Sequence, residues 1–135
     1  MRYAICYVST VAKEVNEEEI DTLLENSANN NNNHDVRGIL LYSEGNFLQV
    51  MEGDKKYVLD LYGKIERDPR HHNIIQVLGK EIEQGAYDGY KSERITHNKK
   101  YNKNLLHDYL DQVKGMNPSI QQTVRNILSV FIETR

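Results

Sequence analysis

The segment Gly38–Gly53, GILLYSEGNFLQVMEG, decides the fold of this chain. It opens with the apolar run Gly38–Tyr42 and closes with Phe47–Glu52, a second run rich in strand-forming residues. The residues between them, Ser43–Asn46, have the composition of a tight turn in which Gly45 is free to take a positive φ. The segment therefore predicts a β-hairpin.

The sequence on both sides of the hairpin predicts two helices. Asn16 followed by Glu19 has the form of an N-cap with an acidic partner, so a helix is expected over about 17–27. A second helix is expected to start after Asp54, acting as its N-cap, and to end before Pro69.

Apolar, strand-like runs at 2–9 and 74–82 complete the order β-α-β-β-α-β, and 87–95 has the composition of a short extra strand. This order predicts an α+β, ferredoxin-like fold in which two helices cover one face of an antiparallel sheet. Five consecutive asparagines, 29–33, follow the first helix. Asn tolerates left-handed φ and stops helices, so the tract is predicted as a solvated loop.

The predicted sheet is apolar on both faces, because Ile5 and Tyr7 of the first strand point one way and Ala4 and Cys6 the other. Two helices cover only one face, so the second face must be covered by the C-terminal helices, by a partner subunit or by both. Helical apolar stripes are found over 105–113 and 118–131, after a polar linker at 96–103. We therefore divide the chain into a domain at 1–95 and a helical extension at 96–135.

Composition and charge narrow the class of protein. The 135 residues carry a formal net charge of −3, so a basic surface for nucleic acid or anionic membrane is not expected. No apolar run is long enough to span a membrane, and no signal peptide is recognisable. The single Cys6 excludes an internal disulfide, and a cytoplasmic location is expected. The histidines lack the spacing of metal ligands, so no metal is expected.

Two polar side chains interrupt apolar strands. Gln49 lies among Phe47, Leu48 and Val50, and Tyr7 lies in the middle of the first strand. Taken singly, Gln49 is explained by a bond to a neighbouring loop, and Tyr7 by a place in the core. Together with the nearby Asn tract, they also indicate a polar pocket between the helices, suited to a flat heteroaromatic ligand.

The chain resembles the BLUF family, whose members sense blue light with a flavin. The resemblance rests on three separated motifs that keep their mutual spacing: ICYVS around Tyr7, the Gly38–Gly53 block, and DPRH at 68–71. It covers about residues 2–93 and needs no gaps. The remaining C-terminal residues resemble the helical caps of short, single-domain members.

The resemblance implies FAD as the cofactor, with FMN as an alternative, bound between the two helices. It implies that Tyr7 and Gln49 are the photoactive pair and that the ring edge faces Gln49. Asn31 matches the residue that holds one carbonyl side of the flavin, and Asn30 an adjacent amide position. The other implied cofactor-binding residues are Leu23, Ser27, Lys64, Ile65, Asp68 and His71.

The sequence departs from the family pattern at three positions. Tyr90 and Ser92 stand where many members have Trp and Met, which leaves the route of signal transmission open. Arg37 replaces the usual Thr before the central glycine. It is either a contact for the phosphate or ribityl part of the flavin or a solvated side chain.

The predicted function is that of a blue-light photoreceptor that switches contacts and has no enzymatic turnover. Proton-coupled electron transfer involving Tyr7 and Gln49 would rearrange the hydrogen bonds to the flavin. With no output domain recognisable, the signal is expected to pass to an unidentified downstream protein or through a homo-oligomer. The alternatives are a light-insensitive ferredoxin-like interaction scaffold and a small acyl-phosphate hydrolase. The hydrolase would need an arginine-bearing loop after the first strand, where this chain has VSTV at 8–11.

Overall fold

The computed structural model describes residues 1–83, 89–94 and 118–133. The elements in these ranges are β1 (Arg2–Val11), α1 (Glu17–Asn33), β2 (Arg37–Ser43), β3 (Asn46–Asp54), α2 (Lys55–Glu66), β4 (His71–Ile82), β5 (Tyr90–Arg94) and α3 (Pro118–Glu133). The first six confirm the predicted order. The predicted linker at 96–103 and the predicted helix at 105–113 lie outside the described residues.

The five strands form one sheet in the order β4-β1-β3-β2-β5. Each neighbouring pair among the first four strands of this order is antiparallel, and β5 pairs in parallel with β2 at the edge. Within β1 and β3, Tyr7 lies directly opposite Gln49. The ferredoxin-like α+β fold is confirmed, with the extra strand added beside the hairpin.

The turn of the β2–β3 hairpin has the predicted chemistry. Glu44 and Gly45 both have positive φ, 47° and 88°, and the flanking Ser43 and Asn46 are paired. Two central residues with positive φ match the two-residue turn whose twist suits a hairpin. The turn therefore fixes the register of β2 against β3.

Both helix starts are capped as predicted. The Asn16 Oδ1 accepts a hydrogen bond from the Glu19 N–H at 2.8 Å, and the Glu19 carboxylate accepts one from the Asn16 N–H in return. The Asp54 carboxylate accepts one from the Tyr57 N–H at 3.2 Å. Each cap satisfies backbone donors that the helix itself leaves unpaired.

Helix α1 continues through the asparagine tract to Asn33, so the predicted loop at 29–33 is wrong. The poor helix propensity of asparagine is outweighed by tertiary contacts, because Asn31 is buried and the Asn32 side chain bonds to the backbone of β5. The helix ends beyond the tract, where Asp35 takes a left-handed φ of 54°.

The two faces of the sheet carry separate apolar clusters. Helices α1 and α2 cover the face of Ile5 and Tyr7. Helix α3 covers the opposite face, where Val124 and Leu128 pack against residues that include Ala4 and Cys6. The expectation that C-terminal residues cover the second face is confirmed for α3. None of the helices in the described ranges is long and apolar enough to cross a membrane.

Candidate functional site

A cavity of about 280 Å³ opens between α1 and α2, over the face of the sheet that carries Tyr7. Its size lies near the lower end of the ~300–1,000 Å³ typical of small-molecule sites, so it suits one flat ring system. The residues that line it are Tyr7, Leu23, Asn26, Ser27, Asn30, Asn31, Leu40, Phe47, Gln49, Leu61, Lys64, Ile65, Asp68, Arg70 and His71. Apolar side chains and polar groups are thus mixed around one space.

The structure brings all but one of the residues singled out in the sequence to this cavity. The ones that line it are Tyr7, Leu23, Ser27, Asn30, Asn31, Gln49, Lys64, Ile65, Asp68 and His71. Their positions follow from helical spacing on α1 and α2 and from the pairing of β1 with β3.

Arg37 lies elsewhere. It pairs with Glu52 in the sheet register, three residues along β2 from Leu40, which lies opposite Gln49. The side chains of β2 alternate, so Arg37 points away from the face of Leu40. Its guanidinium Nε lies 3.6 Å from Asp35 Oδ1.

A chain of hydrogen bonds runs beneath the cavity. The Tyr7 hydroxyl donates to Gln49 Oε1 at 2.5 Å, and Gln49 Nε2 donates to the Tyr90 hydroxyl. The Asn31 side chain is also bonded to the Tyr90 hydroxyl. All four side chains are buried, with 3–4% of their surface exposed. The chain therefore joins β1, β3, β5 and α1 through polar side chains only.

Burial raises the pKa values of both phenols above their ordinary value of 10. For Tyr7, the neighbouring Tyr90 and other ionisable groups add to the effect of burial. For Tyr90, its side-chain hydrogen bonds with Asn31 and Gln49 lower the pKa but do not cancel the effect of burial. Both phenols therefore keep their protons at neutral pH, and each can act as a hydrogen-bond donor.

Because these pKa values are raised, the free energy of unfolding depends on pH above about pH 10. In the unfolded chain, Tyr7 and Tyr90 ionise near pH 10, whereas the folded protein keeps both protons. Each phenol thus contributes stability that is complete below pH 10 and is lost above it, by up to about 1.4 kcal/mol per pH unit. Urea unfolding of the flavin-free protein at about pH 9 and about pH 11 measures the loss. Tyr7→Phe should lose less than the unmodified protein, and an equal loss in both would contradict the assignment.

The loop after α2 forms one rim of the cavity. The Arg70 guanidinium donates to both oxygens of Asp68, and this pairing lowers the pKa of the carboxyl group. His71 is held by both ring nitrogens, with Nδ1 2.8 Å from Ser9 Oγ and Nε2 2.7 Å from the Ile65 carbonyl oxygen. Its ring centroid lies 6.2 Å from that of Tyr7. Among the described residues, no group of three or more acidic, His or Cys side chains is arranged to hold a metal ion.

Five residues that line the cavity were not predicted as cofactor-binding: Asn26, Leu40, Phe47, Leu61 and Arg70. Leu40 and Phe47 lie on the two strands of the predicted hairpin. Asn26 and Leu61 lie one helical turn before Asn30 and Ile65, so helical spacing was the signal that would have found them. Arg70 belongs to the DPRH motif. The contact of the Tyr90 hydroxyl with Gln49 spans 41 residues of sequence, and no local pattern indicates it.

Comparisons with known proteins identify the family of this chain. Residues 3–93 match the model of a family described as BLUF, sensors of blue-light using FAD. Photoactivated adenylate cyclase subunit beta of Euglena longa is 30% identical over 83 residues, which is 62% of this chain and 10% of that protein. The blue light- and temperature-regulated antirepressor BluF of Escherichia coli K12 is 32% identical over 78 residues, 58% of this chain and 19% of that protein. The aligned residues thus span a small part of these relatives.

Solved structures show the same fold. Klebsiella pneumoniae BlrP1, solved with FMN and cyclic diGMP, superposes with a TM-score of 0.77 at 22% identity, over 98% of this chain and 34% of that one. At this identity the likeness concerns the fold alone. The family match covers most of the chain and includes the cavity, the Tyr7–Gln49 pair and the hairpin that positions them. The chain therefore belongs to the BLUF family of blue-light sensors that use FAD.

Proposed function

We propose that this chain binds a flavin in the cavity between α1 and α2 and senses blue light through Tyr7 and Gln49. The observation that carries the proposal is the buried hydrogen bond from the Tyr7 hydroxyl to Gln49 Oε1, on the wall of a cavity of flavin-ring size. Membership of the BLUF family establishes that the matched residues form a blue-light sensor. The roles of individual residues are our proposal.

The donor set of the cavity fits a flavin. Leu23 on α1 and Ile65 on α2 supply apolar contacts for the two faces of a flat ring. Asn31 and Gln49 supply amide groups that can donate and accept, as the carbonyls and ring nitrogens of a flavin require. Lys64 is an exposed cation on the same cavity and suits the phosphate of a nucleotide.

A bound flavin supplies blue-light absorption and, when excited, a strong oxidant. Tyr7 is the side chain placed to give up an electron, because its phenol lies on the cavity wall. Its proton already lies on a 2.5 Å hydrogen bond to Gln49 Oε1, so it can move to the amide as the electron leaves. If the Gln49 amide then exchanges the positions of its oxygen and its NH₂ group, a hydrogen-bond donor replaces an acceptor at the cavity, or the reverse. This change needs no covalent bond between the flavin and the protein.

Both FAD and FMN remain compatible with the cavity. The family description names FAD, and the BlrP1 structure contains FMN. The two share the flavin ring and its first phosphate. A cavity of about 280 Å³ accommodates the ring and leaves the rest of either molecule at its mouth.

We propose that residues 1–95 form the sensor and that 96–135 form an extension that caps the sheet, joins copies of the chain or contacts a partner. Helix α3 supports this, because it packs on the face of the sheet opposite the cavity. The BLUF module is a sensor, and the chain as a whole would signal to an unidentified downstream protein or a second copy of itself. The buried Cys6, whose thiol pKa burial raises to about 12, suits a reducing, cytoplasmic location.

The visible spectrum of the purified protein tests the proposal. The protein, purified or mixed with FAD or FMN, should be yellow, should shift slightly to the red under blue light and should revert in darkness. A protein that stays colourless when offered either flavin would contradict flavin binding. A bound flavin with a light-insensitive spectrum would favour the scaffold alternative, which the family match does not favour.

A further inference from the structure

The amide of Gln49 lies between two phenols. Its Oε1 accepts a hydrogen bond from Tyr7, and its Nε2 donates one to Tyr90. The Tyr90 hydroxyl has a second partner in the Asn31 side chain. Since all four side chains are buried, solvent does not compete freely for these bonds.

A phenol can both donate and accept, which decides what Tyr90 can do here. When Gln49 Nε2 donates to the Tyr90 oxygen, the Tyr90 proton is available to Asn31. When the amide is reversed, its oxygen faces Tyr90, which must donate to it, and the Tyr90 oxygen is then available to accept from Asn31. In either orientation the Gln49 oxygen and its nitrogen each face a phenol that can pair with them, but each orientation gives Tyr90 the opposite role toward Asn31.

We infer that Tyr90 is a positioning residue that couples the orientation of the Gln49 amide to that of the Asn31 amide. The inference rests on the proposed function, in which Gln49 reorients after illumination. Tyr90 keeps its proton throughout, and only the direction in which its hydroxyl points is reversed. An indole donates only and a thioether only accepts, so neither could pair with both orientations in this way.

The backbone of Tyr90 is hydrogen-bonded to α1, the helix that carries Asn31. Its N–H donates to Asn32 Oδ1 at 2.9 Å, and its carbonyl accepts from Asn32 Nδ2 at 3.0 Å. Further along β5, the Ser92 hydroxyl donates to the Leu24 carbonyl at 2.5 Å. Asn31 is adjacent to Asn32, whose side chain holds β5 on α1. A reorientation of the Asn31 amide therefore occurs next to the contact between these two elements. Strand β5 is therefore the element expected to respond.

Tyr90→Phe removes the hydroxyl and keeps the ring, so it separates the coupling from packing. In the flavin-loaded protein we expect the red shift to persist and the rate of dark recovery to change by roughly three- to tenfold, the equivalent of one hydrogen bond. Tyr42→Phe is the matched control, since Tyr42 is also a buried tyrosine on the same face and its hydroxyl bonds to the Gly45 N–H instead. The control should recover at the unmodified rate.

A second measurement needs no flavin. Urea unfolding of the flavin-free protein, with Tyr90→Phe and Asn31→Ala alone and together, measures whether the two side chains interact. We expect the two losses of stability to be non-additive, because each substitution breaks the same bond. Tyr42→Phe combined with Asn31→Ala should be additive.

The unmodified protein supplies a third measurement, which stands even if Tyr90→Phe fails to fold. With ring-labelled tyrosine, the light-minus-dark infrared spectrum should contain the phenol bands of two tyrosines. Bands from one tyrosine only, or a Tyr90→Phe variant that recovers at the unmodified rate, would overturn the inference and leave the proposed function intact. An unmodified, flavin-loaded protein without any light response would instead overturn the proposed function.

Discussion

Replacing Tyr7 by phenylalanine should abolish the reversible red shift and leave flavin binding in place. The substitution removes the hydroxyl that donates to Gln49 Oε1 at 2.5 Å, and with it the proton that can follow an electron out of the ring. The phenylalanine ring still fills the space beside Tyr62, whose ring centroid lies 5.6 Å away. Absorption spectra before, during and after illumination measure the loss, which we expect to be complete.

Tyr62→Phe is the control for this result. Tyr62 is a neighbouring buried tyrosine on α2, but it does not line the cavity. It should keep the full light response. A Tyr7→Phe protein that still shifts and recovers would remove Tyr7 from the photochemistry.

Gly38→Ala should prevent stable folding. Gly38 has a φ of 143°, and a Cβ built on it would lie 1.9 Å from the backbone oxygen of Val50. The clash involves the backbone of the neighbouring strand β3, so no side-chain rotation relieves it. We expect the free energy of unfolding to fall by roughly 3 kcal/mol or more, since strain and clash act together. Gly38 also pairs with Tyr90 across β2 and β5, so any protein that folds should hold Tyr90 poorly.

Gly45→Ala separates the strain from the clash. Gly45 also has a positive φ, 88°, but a Cβ there meets nothing within 4 Å. We expect the free energy of unfolding to fall by only about 1–2 kcal/mol, because alanine is strained at this φ. Equal losses at the two positions, measured by urea unfolding, would show that the contact with Val50 is not the cause.

Much of the fold follows from local sequence. The turn at Gly45, the caps at Asn16 and Asp54 and the alternation of Ile5 and Tyr7 in β1 are all short-range patterns, and the structure confirms each. The same alternation indicated a sheet with two apolar faces, and α3 covers the second one.

The asparagine tract could not be predicted in the same way. Its helical state depends on the burial of Asn31 and on the bonds of Asn32 to Tyr90, 58 residues away in the sequence. Local propensity contains no information about such contacts. For the same reason, no local pattern indicates that Tyr90 bonds to Gln49.

The site was more predictable than the tract because the family resemblance supplied most of its residues. Helical repeats place Leu23 and Ile65 on facing sides of the cavity, and strand pairing places Tyr7 beside Gln49. Arg37, which departs from the family pattern, was predicted as either a flavin contact or a solvated side chain. The pleat of β2 directs its side chain to the opposite side from Leu40, which favours the solvated side chain.

The central claim is that Tyr7 and Gln49 share a hydrogen bond at the edge of a bound flavin. The most direct test is a crystal structure of the flavin-loaded protein, grown and measured in darkness. We expect electron density for the flavin ring between α1 and α2, in contact with the Gln49 amide, and a Tyr7 hydroxyl still bonded to that amide. Density for the flavin elsewhere, or side chains of Tyr7 and Gln49 that point away from each other, would contradict the claim.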